Sequence, residues 1–195
     1  IPMIIYYGLA WGLVKWRRGS TGYFNKLEKK YPSAFFLNLI LILTAVIFGY
    51  FSRITHSSGL TGVLMTALIW APVNAASEQL LWIYLFESWD VYGDEIGRET
   101  QKNGKKYLFT IIGLIMFTIF VGTIHTFFWI GFLHVVDSAN VFGIIFVMFT
   151  SVSGFIHIIA WRQSNQMIFT FIPHFLLNLI PTLYTGYSIL PYLFP

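Results

Sequence analysis

The sequence has no cysteine and little charge. Among its 195 residues only 12 are Lys or Arg and 8 are Asp or Glu, about 10% of the chain, where a soluble domain carries roughly a quarter. A soluble globule is therefore excluded. Without cysteine there are no disulfides, thiol nucleophiles or cysteine-ligated metals, and the redox compartment leaves no trace. The net charge of +4 is not arranged as a basic stripe on a soluble face, so nucleic acid is not an expected partner. No internal repeat or low-complexity tract stands out.

What the chain has in excess is apolar length. Hydrophobic residues make up 56% and aromatic residues 19% of it, a composition that suits lipid-facing walls with aromatic belts at the two interfaces. Apolar runs near residues 1–14, 34–54, 60–87, 107–135, 139–161 and 166–192 predict about six membrane spans, the first short or truncated. The expected fold class is all-α: a polytopic transmembrane helix bundle that occupies 1–195 as a single integral membrane domain. Eleven of the twelve cations fall on one side of this layout. They are Lys15, Arg17, Arg18, Lys26, Lys29 and Lys30 in the first linker, Arg98, Lys102, Lys105 and Lys106 in a charged loop Glu87–Lys106, and Arg162. Only Arg53 lies opposite. The positive-inside rule makes the basic side cytoplasmic and the N-terminus external, as expected in a prokaryotic plasma membrane. The bilayer is a partner throughout, and Lys15–Lys30 is also suited to lie on anionic headgroups.

Seven of the eight acidic residues fall in loops or at span ends. Glu78 alone sits well inside an apolar run, where an ionisable group costs roughly 2.5 kcal/mol or more to insert and so marks a functional site by default. The alternative reading is a protonated Glu hydrogen-bonded in the bundle core. Pro72, six residues earlier, removes a backbone donor and is expected to break or kink the helix. Four histidines also lie in spans: His125, His134, His157 and His174. His174 has a companion at i+4, Asn178, on the same helix face, and Pro173 and Pro181 around them predict a locally irregular helix. His157 has no evident partner and reads as a core or interface residue. Measured from the basic side, Glu78 and His174 each lie about nine residues deep, roughly 13 Å. They can therefore share one level in the inner half of the membrane.

These residues resemble a known family. Ala71-Pro-Val-Asn-Ala-Ala-Ser-Glu-Gln-Leu-Leu-Trp-Ile-Tyr-Leu-Phe86 is similar to the first motif of the CPBP intramembrane proteases (CAAX protease and bacteriocin-processing enzymes, which include the CAAX prenyl endopeptidases). Phe128-Trp-Ile-Gly-Phe-Leu-His134 is similar to the second motif, and Pro173-His-Phe-Leu-Leu-Asn178 to the third, H-x-x-x-N. The likeness covers about residues 60–180. It implies a cytoplasm-facing polar cavity in which Glu78 and His134 hold and deprotonate a water, while His174 and Asn178 donate to the oxyanion. His125 is the alternative to His134. It is closer in depth to Glu78, and the two histidines cannot face one cavity from a straight helix. The resemblance implies no cofactor. Zinc is disfavoured because H-E-x-x-H is absent and Asn is a poor ligand.

The pattern departs from the family at Gln79 and Ile83, where Glu and Arg are usual. Positions 79 and 83 are i and i+4, so the missing residues would have formed an ion pair, and losing both avoids stranding a buried charge. The expected function is cleavage of a peptide or membrane-anchored protein by a glutamate-type endopeptidase. Two other classes remain open: a non-catalytic scaffold or bacteriocin-immunity protein on the same fold, and a small proton-coupled transporter. Oligomeric state leaves no mark in the sequence.

Overall fold

The computed structural model describes residues 2–26, 31–100 and 103–193. Lys29, Lys30 and Lys102 of the cation pattern lie outside them. The elements in chain order are α1 (Pro2–Arg18), α2 (Ser33–Phe51), α3 (Leu60–Met65), α4 (Ala71–Thr100), α5 (Asn103–Thr126), α6 (Val141–Ser164), α7 (Ile168–Thr185) and α8 (Leu190–Leu193). A π-helical turn, Thr66–Trp70, joins α3 to α4, and a second, Phe127–Phe132, extends α5. Among the described residues there is no strand. One isolated antiparallel β-bridge pairs Arg53 with Val136.

Five helices among the described residues are long and apolar enough to cross a membrane, and the chain is an integral membrane protein. The first expected span is not one of the five. It is α1, 17 residues long, which lies along α4. Trp11 Nε1 donates to Ser77 Oγ at 2.9 Å and Arg18 Nη2 to the Ile83 carbonyl at 3.5 Å. The charged loop expected over Glu87–Lys106 is also corrected, because α4 continues to Thr100 and α5 starts at Asn103. From Leu60 to Thr100 the chain forms a 41-residue rod. At 1.5 Å per residue this is about 60 Å, twice the hydrocarbon thickness, so its charged end projects beyond the bilayer. Glycines let the α4–α5 hairpin close: a Cβ on Gly113 would meet Trp89 Cβ at 2.6 Å, and one on Gly93 would meet the Lys106 carbonyl at 2.9 Å.

Pro72 does not break the rod. The preceding turn widens instead, with the Ala71 N–H donating to Thr66 O, five residues back. Such a π-turn re-routes the ladder around a missing donor. Helix α7 likewise runs unbroken through Pro173 and Pro181.

Cations gather at one end. Arg162 at the end of α6 pairs with Glu87 at 2.7 Å and Asp90 at 2.6 Å, and Lys106 pairs with Asp94 at 2.8 Å. Arg53 marks the other end. Between the ends lie two large apolar cores and a small third one of Ala34, Ile156 and Ala160. Of the large two, one holds Ile42, Trp70, Trp129, Phe146 and Leu177 toward the Arg53 end; the other holds Val14, Leu80, Trp82, Phe117 and Ile158 toward the basic end. Helix α5 is least enclosed, with 17% of its apolar window buried against 39–50% in the other four. Most of its surface is left for lipid.

Candidate functional site

Positions 71, 74, 78 and 82 recur on one face of α4, and all four are buried. Glu78 is 6% exposed. Its Oε2 accepts from Asn74 Nδ2 at 3.0 Å and lies 3.5 Å from His174 Nε2 on α7. Asn74 is held in turn from α1. Tyr7 O–H donates to Asn74 Oδ1 at 2.7 Å, and Trp70 Nε1 donates to the Tyr7 oxygen at 3.1 Å. The hydroxyl takes the carbonyl end of the Asn74 amide, so the NH2 end must face the carboxylate.

The imidazole of His174 is held on three sides. Its ring lies on Trp82, with centroids 5.1 Å apart and planes 26° off parallel, and Gln79 Nε2 contacts its Nδ1. His157 stands 6.0 Å away, ring to ring, and is itself bonded by Asn38 Nδ2 at 2.9 Å. Asn178, one turn beyond His174, is 1% exposed, and neither of its side-chain amide atoms has a hydrogen-bond partner among the described residues. A buried amide in that condition costs about 1–3 kcal/mol.

His134 is not beside Glu78. The π-turn ends at Phe132, Leu133 closes the helix, and His134 adopts a left-handed backbone with φ 51° that turns it to the surface. There its Nδ1 meets the Ile130 carbonyl at 3.0 Å and its own carbonyl lies 3.1 Å from His56 Nε2, at the Arg53 end. His125 is buried and packs on Trp82 with centroids 5.1 Å apart, but its Nδ1 donates to the Val121 carbonyl at 2.8 Å. It reaches the site through Trp82, with no bond to Glu78. The histidine within reach of the carboxylate is His174.

The carboxylate lines a cavity of about 440 Å³ between α1, α4 and α5. Tyr6, Tyr7, Asn74 and Glu78 form its polar end, and Ile124, Phe127, Phe128 and Phe132 its apolar walls. Phe127 is 72% exposed, which puts the mouth of the cavity on the lipid-facing surface. A separate cleft of about 530 Å³ opens at the basic end beside Arg17, Arg18, Glu87 and Glu95.

The sequence reading passed over Asn74, Tyr7, Trp82 and Asn38. Asn74 is four residues before Glu78 and could have been found from that spacing. Asn38 is an amide inside an apolar span, a signal of the same kind as Glu78. Tyr7 is 67 residues from its partner, and no local pattern announces it. Among the described residues no three His, Asp or Glu side chains come together as metal ligands. No family model, curated protein or solved structure matches the chain.

Proposed function

We propose that the protein is a membrane-embedded endopeptidase of the glutamate type that the CPBP resemblance implies. The observation that carries this reading is the convergence of the Glu78 carboxylate and the His174 imidazole at 3.5 Å, one turn from the unpaired Asn178 amide. In the reaction, a water held by Glu78 gives it a proton and attacks the scissile carbonyl carbon. His174 and Asn74 orient the carboxylate through Oε2. The oxyanion that forms accepts from the Asn178 amide, the oxyanion role that the resemblance implies for it. The proton on Glu78 then passes to the leaving amine.

This assignment moves His174 from oxyanion donor to partner of the base. Asn178 keeps the oxyanion role, and His134 has none. The substrate is a peptide or membrane-anchored protein whose apolar portion enters sideways, past Phe127, because the walls leading to Glu78 are aromatic and aliphatic. The basic end faces the cytoplasm of a prokaryotic cell and the N-terminus faces out. No cofactor takes part.

Purified protein in lipid nanodiscs, incubated with a library of apolar and lipidated peptides, tests the reading by mass spectrometry of the products. Cleavage by wild type and its loss in Glu78→Gln and His174→Ala are expected. Full cleavage by Glu78→Gln would overturn it, and solute flux from liposomes would favour a transporter.

A further inference from the structure

Glu78 and Gln79 are consecutive on α4, yet they address opposite nitrogens of the same ring. Glu78 Oε2 lies 3.5 Å from His174 Nε2, and Gln79 Nε2 contacts His174 Nδ1. We infer that Gln79 is a positioning residue that fixes His174 as the neutral tautomer with its proton on Nε2, directed at Glu78.

A neutral imidazole has one N–H and one lone pair. Oε2 of Glu78 already accepts from Asn74 at 3.0 Å, and Tyr7 holds that amide the right way round. An ionised carboxylate only accepts, which favours the proton on Nε2, but at 3.5 Å the contact is too long to hold it there by itself. Nδ1 is then a lone pair buried in the membrane core and needs a donor. Gln79 is wholly buried, and its NH2 is the donor at that position. Its Oε1 has no partner among the described residues, and turning the amide over would leave two N–H donors unpaired in place of one carbonyl, the costlier arrangement. A carboxylate at position 79 could only accept and would require the proton on Nδ1. That would leave a lone pair facing Glu78. An apolar side chain would set neither form.

The consequence for catalysis rests on the peptidase reading. Asn74 is bonded to Oε2 and Nε2–H faces it, which leaves Oε1 to take the proton from water. The tautomer shares with that reading only the ionised state of Glu78.

The test is nitrogen NMR of 15N-histidine-labelled protein in nanodiscs, because a ring nitrogen bearing hydrogen is resolved from one with a lone pair. Loss of signals in His174→Gln assigns the ring. In wild type, His174 is expected to show its proton on Nε2 and a lone pair on Nδ1. Gln79→Met, close in length, should convert this into a mixture of both forms, and Gln79→Glu should move the proton onto Nδ1. A wild-type proton on Nδ1, or a Gln79→Met spectrum identical to wild type, would overturn the inference. A wild-type proton on Nδ1 decides against the inference even where a variant fails to fold. No substrate enters the measurement, so an inactive protein with the expected tautomer would refute the peptidase alone, and an active one with the other tautomer would refute only this role for Gln79.

Discussion

Glu78 on α4 and His174 on α7 meet at 3.5 Å, and each arrives with an asparagine one helical turn away on its own helix. Asn74, four residues before Glu78, is satisfied by Tyr7 and bonded to the carboxylate. The side-chain amide of Asn178, four residues after His174, has no hydrogen-bond partner among the described residues. One amide is paired in the resting structure, and the other is the one that the proposed reaction would use.

That asymmetry separates stability from activity at Asn178. Replacing it with Leu removes a buried, unpaired amide and should raise stability by about 1 kcal/mol. The same change should lower peptide cleavage about 100-fold or more, as loss of an oxyanion donor does. Thermal unfolding in nanodiscs and cleavage rates measure the two effects. A variant that is both less stable and fully active would contradict the assignment.

Glu78→Gln keeps the shape of the side chain and its bond with Asn74 while removing the base. Cleavage should fall at least about 100-fold, and the melting temperature should not fall, because an ionisable group in the apolar core has been replaced by a neutral one.

Tyr7→Phe removes one oxygen from the chain Trp70–Tyr7–Asn74–Glu78. The loss should be about 1–2 kcal/mol, because Asn74 Oδ1 and Trp70 Nε1 both lose a partner. Cleavage should fall as well, since the Asn74 amide is then free to turn its carbonyl toward Glu78. The melting temperature and kcat of the single variant check both points.

His125 in α5 and His134 just beyond its extension should respond in opposite ways. His134→Gly should leave cleavage unchanged and stabilise the protein by up to about 1 kcal/mol, because φ 51° is a left-handed conformation that glycine adopts without strain. His125→Ala leaves a void against Trp82, at 3% original exposure, and should cost about 2–3 kcal/mol. Parallel melting curves distinguish them, and the reverse ranking would show that the environments have been exchanged.

Arg162 joins α6 to α4 through Glu87 and Asp90, but its side chain is 42% exposed. Arg162→Met should therefore cost no more than about 1 kcal/mol, and the difference from wild type should shrink in high salt. Unfolding at two ionic strengths checks this.

Glu78 and the His174–Asn178 pair were legible in the sequence because each is a local anomaly. A charge in an apolar run and an i, i+4 polar pair can be recognised without knowing what surrounds them. His134 was misplaced for a local reason of a different kind. A π-turn and a left-handed residue re-aim a side chain without changing its distance along the chain, and a motif match is blind to that. The charges around residues 87–106 have the pattern of a loop and mask a helical hairpin whose fit depends on two glycines meeting Trp89 and the Lys106 carbonyl.

What the sequence by itself determined is the solvent: hydropathy and the segregation of cations make this an all-helical membrane protein, because bilayer thickness converts directly into lengths of apolar residues. It also singled out the acid that does not belong in lipid. The tertiary structure alone decided who stands next to that acid. His174 is 96 residues away along the chain and Tyr7 is 71, and helices from three parts of the chain must pack before either can reach the network. Hydropathy measures how a residue meets lipid. It has no term for which buried polar group will satisfy another, and in a membrane core that pairing is what locates the site.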